Sequence, residues 1–180
     1  EEERAKKDGI YKILVGTDSS KGMEVAGSDT SNNAKVDIWD YVDASAQKFY
    51  MEYEAGYYKI TAMHTGKALT VKDNNIEDGV EIVQYDYQGL DSQKWILRDS
   101  GKNGWVISLL SNPGLSISIE GDISNGSKLI LSKTEDNDNQ MFYINNISNY
   151  ERKKEDGIYK ILVGVDSGKG IEVAGSNTSN

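Results

Sequence analysis

The chain contains no cysteine, which excludes disulfides, a thiolate nucleophile and thiolate-bound zinc. Histidine occurs once, as His64, so a Ser-His-Asp site is open by count but has no spacing behind it. A lone exposed histidine before the Thr65-Gly66-Lys67 turn is expected to be inert. Long apolar runs are missing as well. The longest, about Trp105 to Leu110, falls far short of the ~20 residues a membrane-crossing helix needs, so no membrane insertion is expected. There is no apolar leader: residues 1–7 read EEERAKK, and the chain looks cut from something longer. Basic residues are in deficit, 20 Lys and Arg against 29 Asp and Glu, and a net charge of −9 disfavours nucleic acid as a partner. A hydrophobic content of 37% against 27% charged residues nevertheless fits a globular chain rather than a disordered one.

What the chain does have is repetition. Residues 8–32, DGIYKILVGTDSSKGMEVAGSDTSN, return at 156–180 as DGIYKILVGVDSGKGIEVAGSNTSN, with only Thr17/Val165, Ser20/Gly168, Met23/Ile171 and Asp29/Asn177 changed. A fainter repeat lies between the copies. A residue-Gly pair before an apolar run occurs at Asp8-Gly9, Ala55-Gly56, Asn103-Gly104 and Asp156-Gly157. A Gln-x-aromatic triplet occurs at Gln47-Lys48-Phe49, Gln93-Lys94-Trp95 and Gln140-Met141-Phe142.

Inside each unit the pattern is β. Tyr11, Ile13 and Val15 alternate with Lys12 and Leu14, and Met23 and Val25 flank Glu24. Tyr58, Ile60, Leu69 and Val71 take those roles in the second unit, and Ile107, Ile117 and Ile119 in the third. Asp78-Gly79, Asn125-Gly126 and Asn112-Pro113-Gly114 mark turns. Each unit therefore holds about four strands in roughly 46–48 residues. A unit of that size cannot bury enough surface alone without staples. Three units sharing one core about a threefold axis make an all-β β-trefoil. A propeller is disfavoured, because three blades fall below the usual four to eight. The expected organisation is a charged linker over 1–7, read as a solvated tail, and a trefoil over 8–148 with repeats at about 8–53, 54–102 and 103–148. A second charged linker over 149–155 comes next, and then a partial fourth repeat, the first hairpin of a following trefoil, over 156–180. That hairpin nearly equals the first one, so dimerisation by swapping of 156–180 is an expectation.

These residues resemble the ricin-type β-trefoil lectin domain in its bacterial form. The second unit carries the pattern best, in Gly56-Tyr57-Tyr58-Lys59-Ile60, Thr65-Gly66-Lys67-Ala68-Leu69-Thr70-Val71, Asp78-Gly79, Gln84-Tyr85-Asp86-Tyr87 and Gln93-Lys94-Trp95. The first adds Gly22-Met23-Glu24-Val25, Trp39-Asp40-Tyr41 and Gln47-Lys48-Phe49; the third keeps Gly114 to Ile119 and Gln140-Met141-Phe142 but loses the middle aromatic. The resemblance implies a sugar pocket with an acid just before the last apolar position of the second strand. It adds a polar side chain and a ring from the third strand, and a polar residue near the Gln triplet. A carboxylate accepts two hydroxyl hydrogen bonds, and a ring packs on the apolar face of a sugar. Carried onto this chain, the first unit offers Glu24, Asp37, Trp39 and Gln47, with Glu where the family has Asp. The second offers Thr70, Val83, Tyr85 and Ser92, a lesser site resting on Tyr85. The third offers Ser118, Ile130, Ser132 and Asn139, neither acid nor ring, and is read as structural. In the family the triplet glutamines tie down backbone while the ring two places on fills the core.

Two acidic stretches, Glu135 to Asn139 and Asp73 to Asp78, have oxygen ligands but lack the calcium-loop pattern, so no metal or other cofactor is expected. No spacing selects a carboxylate pair for glycoside hydrolysis, and no catalysis is expected. The resemblance implies a secreted or cell-surface module that binds glycans or polysaccharide, with galactose-type ends as a guess. The charged linkers and the returning sequence point to an array of such modules, each binding weakly and together multivalently. The alternative is a structural or protein-binding trefoil whose sugar chemistry has decayed.

Overall fold

A computed structural model of the chain describes residues 5–148. The chain divides into two units, Glu1–Asn146 and Ile147–Asn180, and every described strand belongs to the first. The linker expected over 149–155, the hairpin over 156–180 and its swapped dimer lie outside the described residues, as do residues 1–4.

Among the described residues twelve strands succeed one another in three sets of four. The first set is β1 (Gly9–Val15), β2 (Lys21–Val25), β3 (Val36–Asp40) and β4 (Phe49–Glu54). The second is β5 (Tyr57–Ala62), β6 (Ala68–Val71), β7 (Ile82–Tyr85) and β8 (Trp95–Asp99), and the third β9 (Trp105–Leu109), β10 (Leu115–Ile119), β11 (Leu129–Lys133) and β12 (Phe142–Asn146). No α-helix occurs among the described residues. The first and last strand of each set close a ring by antiparallel pairing: β1 with β4, β4 with β5, β5 with β8, β8 with β9, β9 with β12 and β12 with β1. Closure leaves the barrel without an unpaired edge. The middle strands form hairpins β2–β3, β6–β7 and β10–β11. This is the β-trefoil that the repeats predict.

The hairpins interlock cyclically. Bridges join Lys35 to Val83, Glu81 to Ile130 and Lys128 to Asp37, so each lobe's hairpin is edged by the turn of the lobe before it. The turns responsible are Asn32-Asn33, Asp78-Gly79 and Asn125-Gly126. Each ends on a residue of positive φ, 65° at Asn33, 90° at Gly79 and 86° at Gly126, a conformation that glycine and asparagine tolerate. Polar clasps reinforce the junctions, as between the second and third lobes, where Lys128 Nζ lies 3.0 Å from Glu81. Lys21 Nζ lies 2.6 Å from Asp40, which also accepts Asn125 Nδ2 at 2.9 Å. Lys67 Nζ lies 2.6 Å from Asp86, which also accepts Asn32 Nδ2 at 2.9 Å.

Inward-facing residues of all three sets meet in one core, and Phe49, Trp95 and Phe142 are all sealed inside it. The glutamine two places before each ring is equally buried. Its Oε1 accepts the backbone N–H five residues back, at Val42 (2.9 Å), Gln88 (2.8 Å) and Glu135 (2.8 Å). Its Nε2 donates to the carbonyl seven residues back, at Asp40 (2.9 Å), Asp86 (3.0 Å) and Lys133 (2.6 Å). A buried amide left without partners costs about 1–3 kcal/mol, so these bonds are what allow a polar residue at that depth.

Just before Asp8 the chain is anchored at Lys6, whose backbone N–H donates to the Tyr58 hydroxyl at 2.6 Å and whose carbonyl accepts it at 2.9 Å. The Lys6 ammonium sits 5.0 Å from the centre of the Trp105 ring, an attraction that adds to the anchor.

Truncating one core ring tests the shared interior. Phe142→Ala is expected to lower the unfolding free energy by about 3–5 kcal/mol in urea titrations, since the barrel cannot collapse around the lost ring.

Candidate functional site

Each hairpin places the same three positions together. In β2–β3, Glu24 stands opposite Asp37 with Trp39 two residues on; in β6–β7, Thr70 stands opposite Val83 before Tyr85; in β10–β11, Ser118 stands opposite Ile130 before Ser132. The backbone is common to all three, and the chemistry differs by side chain.

In the first lobe Glu24, Asp37 and Trp39 share the hairpin. Glu24 accepts a hydrogen bond from Gln47 Nε2 at 3.0 Å. Asp37 is only 3% exposed; one carboxylate oxygen lies 3.2 Å from Lys35 Nζ, and the other has no hydrogen-bond partner among the described residues. Burial pushes the Asp37 carboxyl above its ordinary range, and Lys35 opposes the shift. Burial also raises Glu24, with the Asp37 charge opposite adding to it and the Gln47 bond opposing it. Trp39 is 45% exposed, beside the bare backbone of Gly126. Gln47 is sealed, and its amide is spent on Glu24, Asp40 and the N–H groups of Val42 and Ala44. It therefore underlies the site and reaches it through Glu24.

In the second lobe the same positions open into a cavity of about 240 Å³. Thr70 and Tyr85 line it together with Asp73, Asn74, Gln88, Leu90 and, from the first lobe, Asn33. The Thr70 hydroxyl donates to the Ala68 carbonyl at 2.7 Å and accepts Gln93 Nε2 at 3.1 Å, which fixes its rotamer. Val83 replaces the buried acid, so no ion pair fills the space. Asp73 and Asn74 follow β6 after Lys72, with φ of 56° and 54°, so both belong to the left-handed corner. Ser92 is buried, and its hydroxyl lacks a protein partner among the described residues. The sequence pattern singles out Thr70, Tyr85 and Ser92 and misses Asn33, Gln88 and Leu90. The signal that points to Asn33 is the alignment of Asn32-Asn33 with the Asp78-Gly79 and Asn125-Gly126 turns.

In the third lobe Asn139 spends its amide on the carbonyls of Ile119 at 2.9 Å and Gly121 at 2.7 Å, so that end is tied shut. The two acidic stretches also have local roles. Asp136 pairs with Arg98, the Asn137 side chain accepts the Asn139 N–H at 3.1 Å, and Asp73 faces the second-lobe cavity. Among the described residues no three His, Asp or Glu side chains converge as metal ligands. His64 Nε2 lies 3.1 Å from the Asp29 carbonyl.

The first-lobe carboxyl pair has a pH signature. A carboxyl raised in the fold binds its proton more tightly than in the unfolded chain. Its ionisation therefore costs stability as the pH climbs above the ordinary 3.8 of aspartate or 4.5 of glutamate. Asp37→Asn is expected to match the parent near pH 3 and to gain in melting temperature relative to it as the pH is raised to 7, followed by thermal unfolding at each pH.

The comparisons with known proteins agree with the fold. The family described as ricin-type beta-trefoil lectin domain-like matches residues 3–85 and again 45–132. Flavastacin from Elizabethkingia meningoseptica is 24% identical over 131 residues, which is 71% of this chain and 30% of that protein, so the chain spans under a third of that relative. Among solved structures, the designed threefold-symmetric protein ThreeFoil is 30% identical with a TM-score of 0.73, covering 78% of this chain and all of that one. The Macrolepiota procera ricin B-like lectin, solved with lactose, is 17% identical with a TM-score of 0.68, covering 79% and 99% of the two chains, and shows likeness of fold. With that match running across all three lobes of a closed trefoil, the chain belongs to the ricin-type beta-trefoil lectin domain-like family.

Proposed function

We propose that this chain is a carbohydrate-binding, non-catalytic module whose working site is the second-lobe cavity. One observation carries the reading. Of the three equivalent hairpins, β6–β7 combines an aromatic wall, Tyr85, with a hollow of about 240 Å³ edged by amide, carboxylate and hydroxyl groups. A sugar has an apolar face for the ring and hydroxyls for the polar rim, and hydroxyls both donate and accept. The hollow is smaller than the roughly 300–1,000 Å³ of drug-sized sites and suits one sugar ring at a chain end.

Such a site binds weakly. A millimolar Kd corresponds to only about 4 kcal/mol, and tethered copies raise apparent affinity by about 10²–10⁴ where geometry permits. The return of residues 8–32 at 156–180 supports a tandem array that would provide those copies. Galactose-type ends are the proposed ligand class, supported by the lactose complex of the Macrolepiota procera lectin, and a secreted or surface location would bring the module to such glycans. A second reading, a protein-binding trefoil with decayed sugar sites, is favoured by the exposure of Trp39 (45%) and Val42 (70%) on the first lobe.

Titrating lactose against the protein by NMR separates these readings. Tyr85→Ala is expected to weaken lactose binding at least about tenfold, and Trp39→Ala less than about twofold. The reverse order would move the site to the first lobe, and a parent silent to lactose and to a glycan array would favour the protein-binding reading.

A further inference from the structure

We infer that Asn33, a residue of the first lobe, selects the sugar in the second-lobe cavity, and that the buried Gln84 is the positioning residue that holds it there. The inference rests on the cavity being the sugar site, as proposed above.

Gln84 stands in the middle of β7 and is 1% exposed. At the same register the other hairpins carry Ile38 and Leu131, both sealed in the core. A polar side chain at an apolar core position must be matched by partners, and Gln84 finds them in the neighbouring lobe. Its Nε2 donates to the carbonyls of Asp29 at 2.8 Å and Ser31 at 2.9 Å, and its Oε1 accepts the Thr65 hydroxyl at 2.8 Å. Its backbone joins the same segment. Asn33 N–H donates to the Gln84 carbonyl at 2.9 Å, and Gln84 N–H donates to the Ala34 carbonyl at 2.9 Å. One residue of the second lobe thus grips residues 29–34 of the first at four points. Asn32 adds a pair of bonds with Asp86, donating Nδ2 to a carboxylate oxygen at 2.9 Å and accepting the Asp86 N–H at 3.1 Å.

The grip delivers a side chain. Asn33 is exposed, lines the cavity with Tyr85 and Thr70, and has no protein partner for its side-chain amide among the described residues. The equivalent turn residues are Gly79 and Gly126, which offer only backbone. Of these three aligned turn positions, Asn33 is the one that carries a side-chain donor and acceptor to the neighbouring lobe. An amide presenting both, set beside an aromatic wall, reads two neighbouring hydroxyls of a neutral sugar. Turning one hydroxyl over, as between galactose and glucose, would break one of the bonds and leave a polar group unmatched.

The test uses the full chain with galactose, glucose and lactose followed by NMR titration. Asn33→Gly keeps a residue suited to positive φ and leaves the Gln84 bonds in place. It is expected to weaken the preferred sugar about five- to tenfold and to bring the galactose-to-glucose ratio close to one. Gln84→Leu, which restores the residue type of the third lobe, is expected to do the same, and the double variant to be no weaker than either single one. Gln84→Glu retains an acceptor for Thr65 and is expected to recover less than half of the loss, because it lacks the donors to Asp29 and Ser31. If Gln84→Leu fails to fold, Asn33→Gly alone decides. Unchanged affinity and ratio in Asn33→Gly, with binding lost in Tyr85→Ala, would overturn the inference and leave the site standing. Binding retained in Tyr85→Ala would overturn the site itself.

Discussion

The three buried glutamine amides set where everything else in the trefoil goes. Each ties the loop that comes after its hairpin back onto the barrel through the same two backbone groups, five and seven residues upstream. The ring two places later fills the core only because the loop is drawn in. The glutamine has one donor left once the carbonyl is satisfied, and that donor reaches the site. In the first lobe it goes to the Glu24 carboxylate, in the second to the Thr70 hydroxyl. A fold-defining interaction and a pocket-defining one therefore share a side chain.

That shared frame explains why three alike hairpins end as three unlike sites. Facing acids in the first lobe need Lys35 and Gln47 to offset burial. Replacing Glu24 and Asp37 by Thr70 and Val83 removes both charges. A hydroxyl and an isopropyl group need no counter-ion, so the second lobe can stay open above them. In the third lobe the ring gives way to Ser132, and Asn139 binds the carbonyls at the mouth. Charge, volume and hydrogen-bond demand at a few positions decide the outcome on one backbone.

Much of the fold is legible in the sequence because its signals are local. Period-two alternation, Asp-Gly and Asn-Gly turns, and the Gln-x-aromatic triplet all act within a few residues of where they are written. Tyr85 and Thr70 are legible as members of one hairpin. Asn33 and Gln84 are not, because their meaning lies in a contact between lobes some fifty residues apart in sequence, and Asn33 reads as a loop residue until its turn is aligned with Gly79 and Gly126. The anchoring of Lys6 is not legible for the same reason: a charged residue next to other charged residues looks solvated, and only closure of the barrel brings it over Trp105.

The cyclic bridging has a further consequence for binding. Every hairpin is edged by a turn from the lobe before it, and the second-lobe cavity draws a wall from that neighbouring turn. The second-lobe cavity takes Thr70, Tyr85 and Gln88 from one repeat and Asn33 from another, and that turn is held by Gln84. A single repeat, even if it folded, would lose the neighbour's contribution. Sequence drift in the first lobe therefore alters the lining of the second-lobe cavity. Divergence of the three repeats therefore need not mean decay, since the first lobe supplies Asn33 to the lining of the second-lobe cavity.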